Sequence, residues 1–213
     1  MRVRWTVATL ALVLVGAAAG YGVGALREQE PTTFPVAAPV PASSPSYPVI
    51  PSVVLPDPDF PPLQPGLPLQ PVTVGTAPFD FHLPIPRGWE RTNPTSGEWH
   101  WHAPPDFVLN TYFVRVKLLG NLFLPVDAAL DARIAALENA PEVTDLHIES
   151  RTADGFVGDY VAGDHRRVTM ERYVPDSNGT TYASVAVIGR EEDRAGLADL
   201  FDRITAAAEP GPS

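Results

Sequence analysis

Three hydrophobic rhythms follow one another along this chain. From Trp5 to Leu26 apolar and small residues run without a charge. From Pro31 to Pro71 apolar positions are broken by proline at close intervals. From Pro78 onward the pattern becomes periodic. Phe79, Phe81, Leu83 and Ile85 alternate with Asp80, His82 and Pro84, the period of two that marks a strand. Pro86-Arg87-Gly88-Trp89 closes a turn. Gly97 to Ala103 alternates Trp99 and Trp101 with Glu98, His100 and His102, and Phe107 to Leu119 reads as a third strand.

Pro125 to Asn139 is helical, with Val126, Leu130, Ile134 and Leu137 on one face and Pro125 suited to a first helical position. Val143 to Thr152, Gly155 to Ala162 and His165 to Val174 read as strands. Asp176-Ser177-Asn178-Gly179 is a hairpin turn, and Thr180 to Gly189 the return strand, with Tyr182, Ser184, Ala186 and Ile188 on one face. Glu191 to Ala208 is a closing helix with Leu197, Leu200, Phe201 and Ile204 as its buried stripe. The order βββ–α–ββββ–α predicts an α+β domain over residues 76–208, an antiparallel sheet layered with two helices, followed by a tail at 209–213.

Proline and charge divide the chain in the same places. Fourteen of 25 prolines lie between Pro31 and Pro71. Proline lacks an amide donor and fixes φ, so residues 27–75 are expected to be a disordered spacer in polyproline II and coil. The net charge is −10, and the acidity belongs to the domain. With one lysine and no basic face, the chain is not expected to bind nucleic acid. The absence of cysteine excludes disulfides, thiolate metal sites and a lipidated N-terminal cysteine.

The run from Trp5 to Leu26 is long enough, at roughly 33 Å as a helix, to span a bilayer. Residues 1–4, with Arg2 and Arg4, form a cytoplasmic tail by the positive-inside rule, which places everything after Leu26 outside. The competing reading is a signal peptide cleaved after Ala17-Ala18-Ala19, which exports the domain equally. Gly16, Gly20 and Gly24 recur every four residues and offer a face for a homodimer.

Candidate chemistry is sparse. His100 and His102 share a strand face and offer two metal ligands, with His82 as a third; the plainer reading makes them the polar side of a strand whose tryptophans are core. Trp89, Trp99 and Trp101 form either a stacking platform or the core of a hairpin. Gly155, Gly158 and Gly163 read as strand ends, and Arg166-Arg167 as a solvated strand edge. No hydrolase elbow, phosphate-binding loop or zinc-protease signature occurs. No catalytic, metal or ligand-binding residue and no cofactor is therefore assigned.

The stretch Phe79-Asp80-Phe81-His82-Leu83-Pro84-Ile85-Pro86-Arg87-Gly88-Trp89 resembles the opening of PsbP/Mog-type domains in exported actinobacterial proteins, the LpqN-like group among them. There an aromatic-alternating strand runs into a proline-x-glycine-tryptophan turn. The resemblance covers roughly residues 76–208. It implies a PsbP/Mog-like fold and a non-catalytic binding or scaffold role. The expectation is a single-pass, non-enzymatic protein of the bacterial cell envelope whose extracytoplasmic domain binds an envelope protein or cell-wall component. Two alternatives stand beside it: a secreted, alanine/proline-rich adhesin, and a metal-dependent hydrolase built on the histidines.

Overall fold

A computed structural model describes residues 54–104 and 112–211. The expected tail at 1–4, the membrane segment 5–26 with Gly16, Gly20 and Gly24, and the spacer up to residue 53 lie outside the described residues. So does the start of the strand expected from Phe107. Residues 50–213 form a compact unit. Its two hydrophobic clusters close within it, as a self-folding domain of this size requires.

Among the described residues, ten strands and two helices follow in the order β1 (Leu69–Thr76), β2 (Phe79–Pro86), β3 (Glu90–Thr92), β4 (Glu98–His102), β5 (Phe113–Leu118), α1 (Val126–Glu138), β6 (Val143–Arg151), β7 (Gly155–Ala162), β8 (His165–Pro175), β9 (Thr181–Gly189), α2 (Arg194–Thr205) and β10 (Glu209–Pro210). Seven strands form one sheet, β3-β4-β5-β9-β8-β7-β6, and three form another, β1-β2-β10. Every neighbouring pair is antiparallel. The fold is α+β with two helices, as the periodicity predicts.

The small sheet and α2 close one face of the large sheet. Phe81, Leu83 and Ile85 of β2 and Leu197, Leu200 and Ile204 of α2 meet Trp101, Val114, Val116, Val185 and Val187. On the other face α1 rests on β6 and β8. There Leu130 and Leu137 pack with Phe156 and Tyr173. β9 sits mid-sheet between these layers. Its Ala183, Val185 and Val187 are therefore as buried as Ser184, Ala186 and Ile188 on the opposite face.

Ordered structure begins well before residue 76, which corrects the expected extent of the spacer. β1 carries Pro71 opposite Pro84 of β2. Arg87 donates its backbone N–H to Pro68 O at 2.9 Å, so by alternation the odd residues of β2 direct their amides toward β1. The nitrogen of Pro84 then turns away from β1, and that of Pro71 points off the sheet edge. No ladder bond is lost at either proline, the condition under which an edge strand tolerates them. The expected tail is also replaced in part. β10 pairs Glu209 and Pro210 with His82 and Phe81 along the other edge of β2.

Upstream of β1, residues 55–66 run across the domain as a strap. Leu55 N–H donates to Asp164 O at 2.7 Å, and Gly66 N–H to Asp199 Oδ2 at 2.8 Å. Arg167 donates to Asp57 at 2.7 Å. Leu63 enters the main core beside Gly196 of α2, where a Cβ would collide with the Leu63 backbone.

Arg166 and Arg167 do not lie on a strand edge, because β8 lies inside the sheet, and both have acidic neighbours. Arg166 pairs with Asp159 and Asp145, and Arg167 with Asp57. Gly158 is not a strand end either. It sits mid-strand at an irregularity of the β6–β7 pairing. Three further details differ. Pro125 is the cap before α1 rather than its first helical residue. The closing helix splits into a 3-10 turn at Glu191–Asp193 followed by α2. β3 is a short strand just past the expected turn, in a stretch where no element is expected from the sequence.

Candidate functional site

The face of the large sheet that looks away from the main core carries the polar rows. Pairing places His100, Arg115, Ala186 and Glu171 in one row across β4, β5, β9 and β8. Glu98, Lys117, Ser184 and Tyr173 form the next. The register follows from the alternation of Val114 and Val116, which face the core, with Arg115 and Lys117, which face away. Helix α1 covers only the β6–β8 side of this face. Between α1 and the exposed remainder lies a groove of ≈ 380 Å³. Arg115, Lys117 and Ser184 line its sheet side, and Ala129, Ala132 and Ala136 its helix side. Its volume falls in the range of small-ligand sites.

Glu171 is the fully buried acid of this site. Its Oε1 accepts from Arg115 Nη2 at 2.6 Å and from Arg133 Nε at 3.0 Å, and its Oε2 from Arg133 Nε at 3.3 Å and Tyr173 Oη at 3.5 Å. Burial pushes the Glu171 carboxyl up. The charges and hydrogen bonds of Arg115 and Arg133 outweigh burial and hold it below the usual carboxylate range. Burial, and then the Glu171 charge, push the Tyr173 and Tyr160 phenols up, so both stay neutral at physiological pH. Glu98 follows the logic of Glu171: burial raises its carboxyl, and the His100 hydrogen bond with the Arg115 and Lys117 charges brings it down.

The two arginines have donors that Glu171 does not use. Arg115 Nε is buried with no partner among the described residues. Lys117, half-exposed, stands 3.7 Å from Glu98. The groove is thus a donor-rich, cationic spot on an acidic chain. Its rim is apolar. Leu122 lines it at 52% exposure, and the next residue, Phe123, is 81% exposed. Phe123 has φ 51°, a left-handed backbone that a bulky residue adopts only under strain.

The residues to which the sequence points lie elsewhere or at the margin. His100 Nε2 binds Glu98 Oε1 at 2.8 Å just beyond the groove. His102 is buried and stacks on Phe113. His82 lies on β2, between Asp80 at 3.0 Å and Thr73 at 3.0 Å. It faces outward from the small sheet, because Phe81 and Leu83 on either side face the core. The main core therefore separates His82 from His100 and His102, and the three do not form a metal site. No group of three His, Asp or Glu suited to a metal occurs among the described residues.

The tryptophans belong to the core reading. Trp101 is buried, and Trp89 and Trp99 pack against the same cluster. Trp99 also lines a second, open depression together with Arg91 and the exposed Phe79. Arg115, Lys117, Arg133 and Glu171 do not stand out in the sequence. One local signal exists for Glu171, the one acid of a strand that carries three arginines.

No protein-family model matches the chain, and no curated protein does. Among solved structures the chain is similar to the Ran-binding protein Mog1p of Saccharomyces cerevisiae, with a TM-score of 0.45 and 8% sequence identity, over 67% of this chain and 96% of that one. At that score and identity no residue of Mog1p is carried over, and no ligand.

Proposed function

We propose that this chain is a non-catalytic binding or scaffold protein of the bacterial cell envelope. Residues 5–26 anchor it, its C-terminal domain is extracytoplasmic, and the groove beside α1 takes its partner. The observation that carries the binding reading is the surplus of donors around Glu171: two arginines are fixed by one buried acid and still have N–H groups to offer into an open groove. The anchor reading rests on the 22 charge-free residues from Trp5 to Leu26. The resemblance of residues 79–89 to PsbP/Mog-type domains of exported actinobacterial proteins supports the envelope setting.

Two measurements test this. In native cells the full chain should stay in the membrane after alkaline carbonate washing, with its domain open to protease added outside; release into the medium would favour the secreted alternative. A fragment screen by amide NMR on residues 50–213 should shift the resonances of Lys117, Ala132 and Ala136 together. If fragments bind only elsewhere, the groove is not the site.

A further inference from the structure

The walls and rim of the same groove narrow the kind of partner. On the reading that this groove is the ligand site, we infer that it docks a peptide segment of a partner protein, one that sets an acidic side chain beside an apolar one.

The acid follows from charge. Lys117, Arg115 and Arg133 line the groove. Glu171 uses Arg115 Nη2 and Arg133 Nε and Nη2, which leaves Arg115 Nη1 and Arg133 Nη1 to a ligand, with the Lys117 ammonium shared with Glu98. Glu98 lines the groove too, but its carboxylate is engaged with His100 and Lys117, so three cations face two carboxylates there. On a chain of net charge −10 this spot selects an anion, and fixed guanidinium donors suit a carboxylate.

The apolar neighbour follows from the walls. Leu119, Leu124 and Ala129 line the groove as well. Ala132 and Ala136 also line it and present a smooth helix face, which lets a backbone lie close.

The polypeptide follows from the rim. A small amphiphile filling the groove would touch Leu122 on one side and leave Phe123 in water. A segment that crosses the rim would cover both. Exposed apolar residues beside a pocket are what protein interfaces use as anchors. The strained backbone of Phe123 holds one of them outward.

The test pans a random-peptide phage library on residues 50–213. Enriched peptides should pair Asp or Glu with a large apolar side chain. A synthetic winner should lose about tenfold or more in affinity to Ala132→Trp, which fills the groove from its helix side, and to Lys117→Glu, which reverses its charge. Ala132→Trp should keep the parent's melting temperature, and Lys117→Glu, which faces Glu98, should lower it by only a few degrees. Phe123→Gly should weaken binding several-fold, and affinity should fall between about 0.1 and 1 M salt. Winners without carboxylates, or winners indifferent to Ala132→Trp, would overturn the inference. So would dodecanoate shifting the Lys117 and Ala132 resonances where no peptide does; the site would then belong to small amphiphiles, with the binding reading intact. If neither peptides, dodecanoate nor fragments enter the groove, both readings fall.

Discussion

Glu171 and Asp193 are two fully buried carboxylates, each held by arginine, and they are used in opposite ways. Asp193 is saturated. Its Oδ2 accepts from the backbone N–H and Nε of Arg190 at 2.9 and 2.8 Å, and its Oδ1 from Arg190 Nη2 at 2.9 Å and Leu63 N–H at 2.8 Å. Arg190, 1% exposed, spends its remaining donors on Glu192 and on the strap carbonyls of Pro58 and Pro61, and lies 6.0 Å from the Phe60 ring. Apart from the half-exposed Glu192, that cluster is turned inward. Around Glu171 the acceptors are filled but the donors are not, and the arginines reach solvent, Arg115 at 16% and Arg133 at 26% exposure. A buried ion pair whose partners are all internal is a joint. One with surplus donors facing a groove is a prepared surface.

Breaking the joint should have the largest effect. Asp193→Asn leaves Arg190 buried beside a neutral amide and should cost about 3–5 kcal/mol. Urea titration would measure it, and amide exchange at Leu63 and Gly66 should quicken by more than the exchange of β9. Equal acceleration everywhere would mean that the strap is not specifically held.

Glu171→Gln comes next, at about 2–3 kcal/mol, less because its arginines can turn to water. This difference should depend on pH. The folded Glu171 carboxyl titrates below its unfolded value, so its contribution is complete above about pH 4.3. It is lost as the pH falls through the folded value. The gap between parent and Glu171→Gln should therefore be flat at neutral pH and shrink in acid. A gap that widens in acid would contradict the assignment.

Phe60→Ala removes a ring that sits 5.8 Å from Tyr112 and beneath Arg190, and should cost about 1–2 kcal/mol. At the groove, Phe123→Gly should leave stability within about 0.5 kcal/mol of the parent, because the ring lies in water and glycine accepts the positive φ. A large loss there would show that the ring is structural.

The fold is legible where the pattern is self-contained. The alternation of β2 and the stripe of α2 reflect one covered face each, and that face is written locally. The strap and β1 are hidden because proline density says what a segment cannot do alone, while their place depends on distant partners: Pro84 opposite Pro71, Asp193 beneath Leu63, Arg167 beside Asp57. The groove is half legible. Alternation puts Arg115 and Lys117 on one side of β5. Only the strand order β5-β9-β8 and the helix between β5 and β6 bring Arg133 and Arg115 to Glu171 from positions 38 and 56 residues away. The histidines draw attention because residue type is visible in a sequence and facing is not. His82 and His100 sit on different sheets, separated by the main core.

The strap also sets how this domain would carry a load. A pull on the chain from before residue 54 does not reach β1 first. It meets Leu55 on Asp164, then Asp57 on Arg167, then Pro58 and Pro61 on Arg190, then Leu63 on Asp193, and only afterwards the β1–β2 ladder. The attachments lie in series, so they yield one at a time, with the buried joint near the end. A domain towed by its N-terminal side would give way in graded steps, and the strap would act as a shock absorber for the sheet behind it.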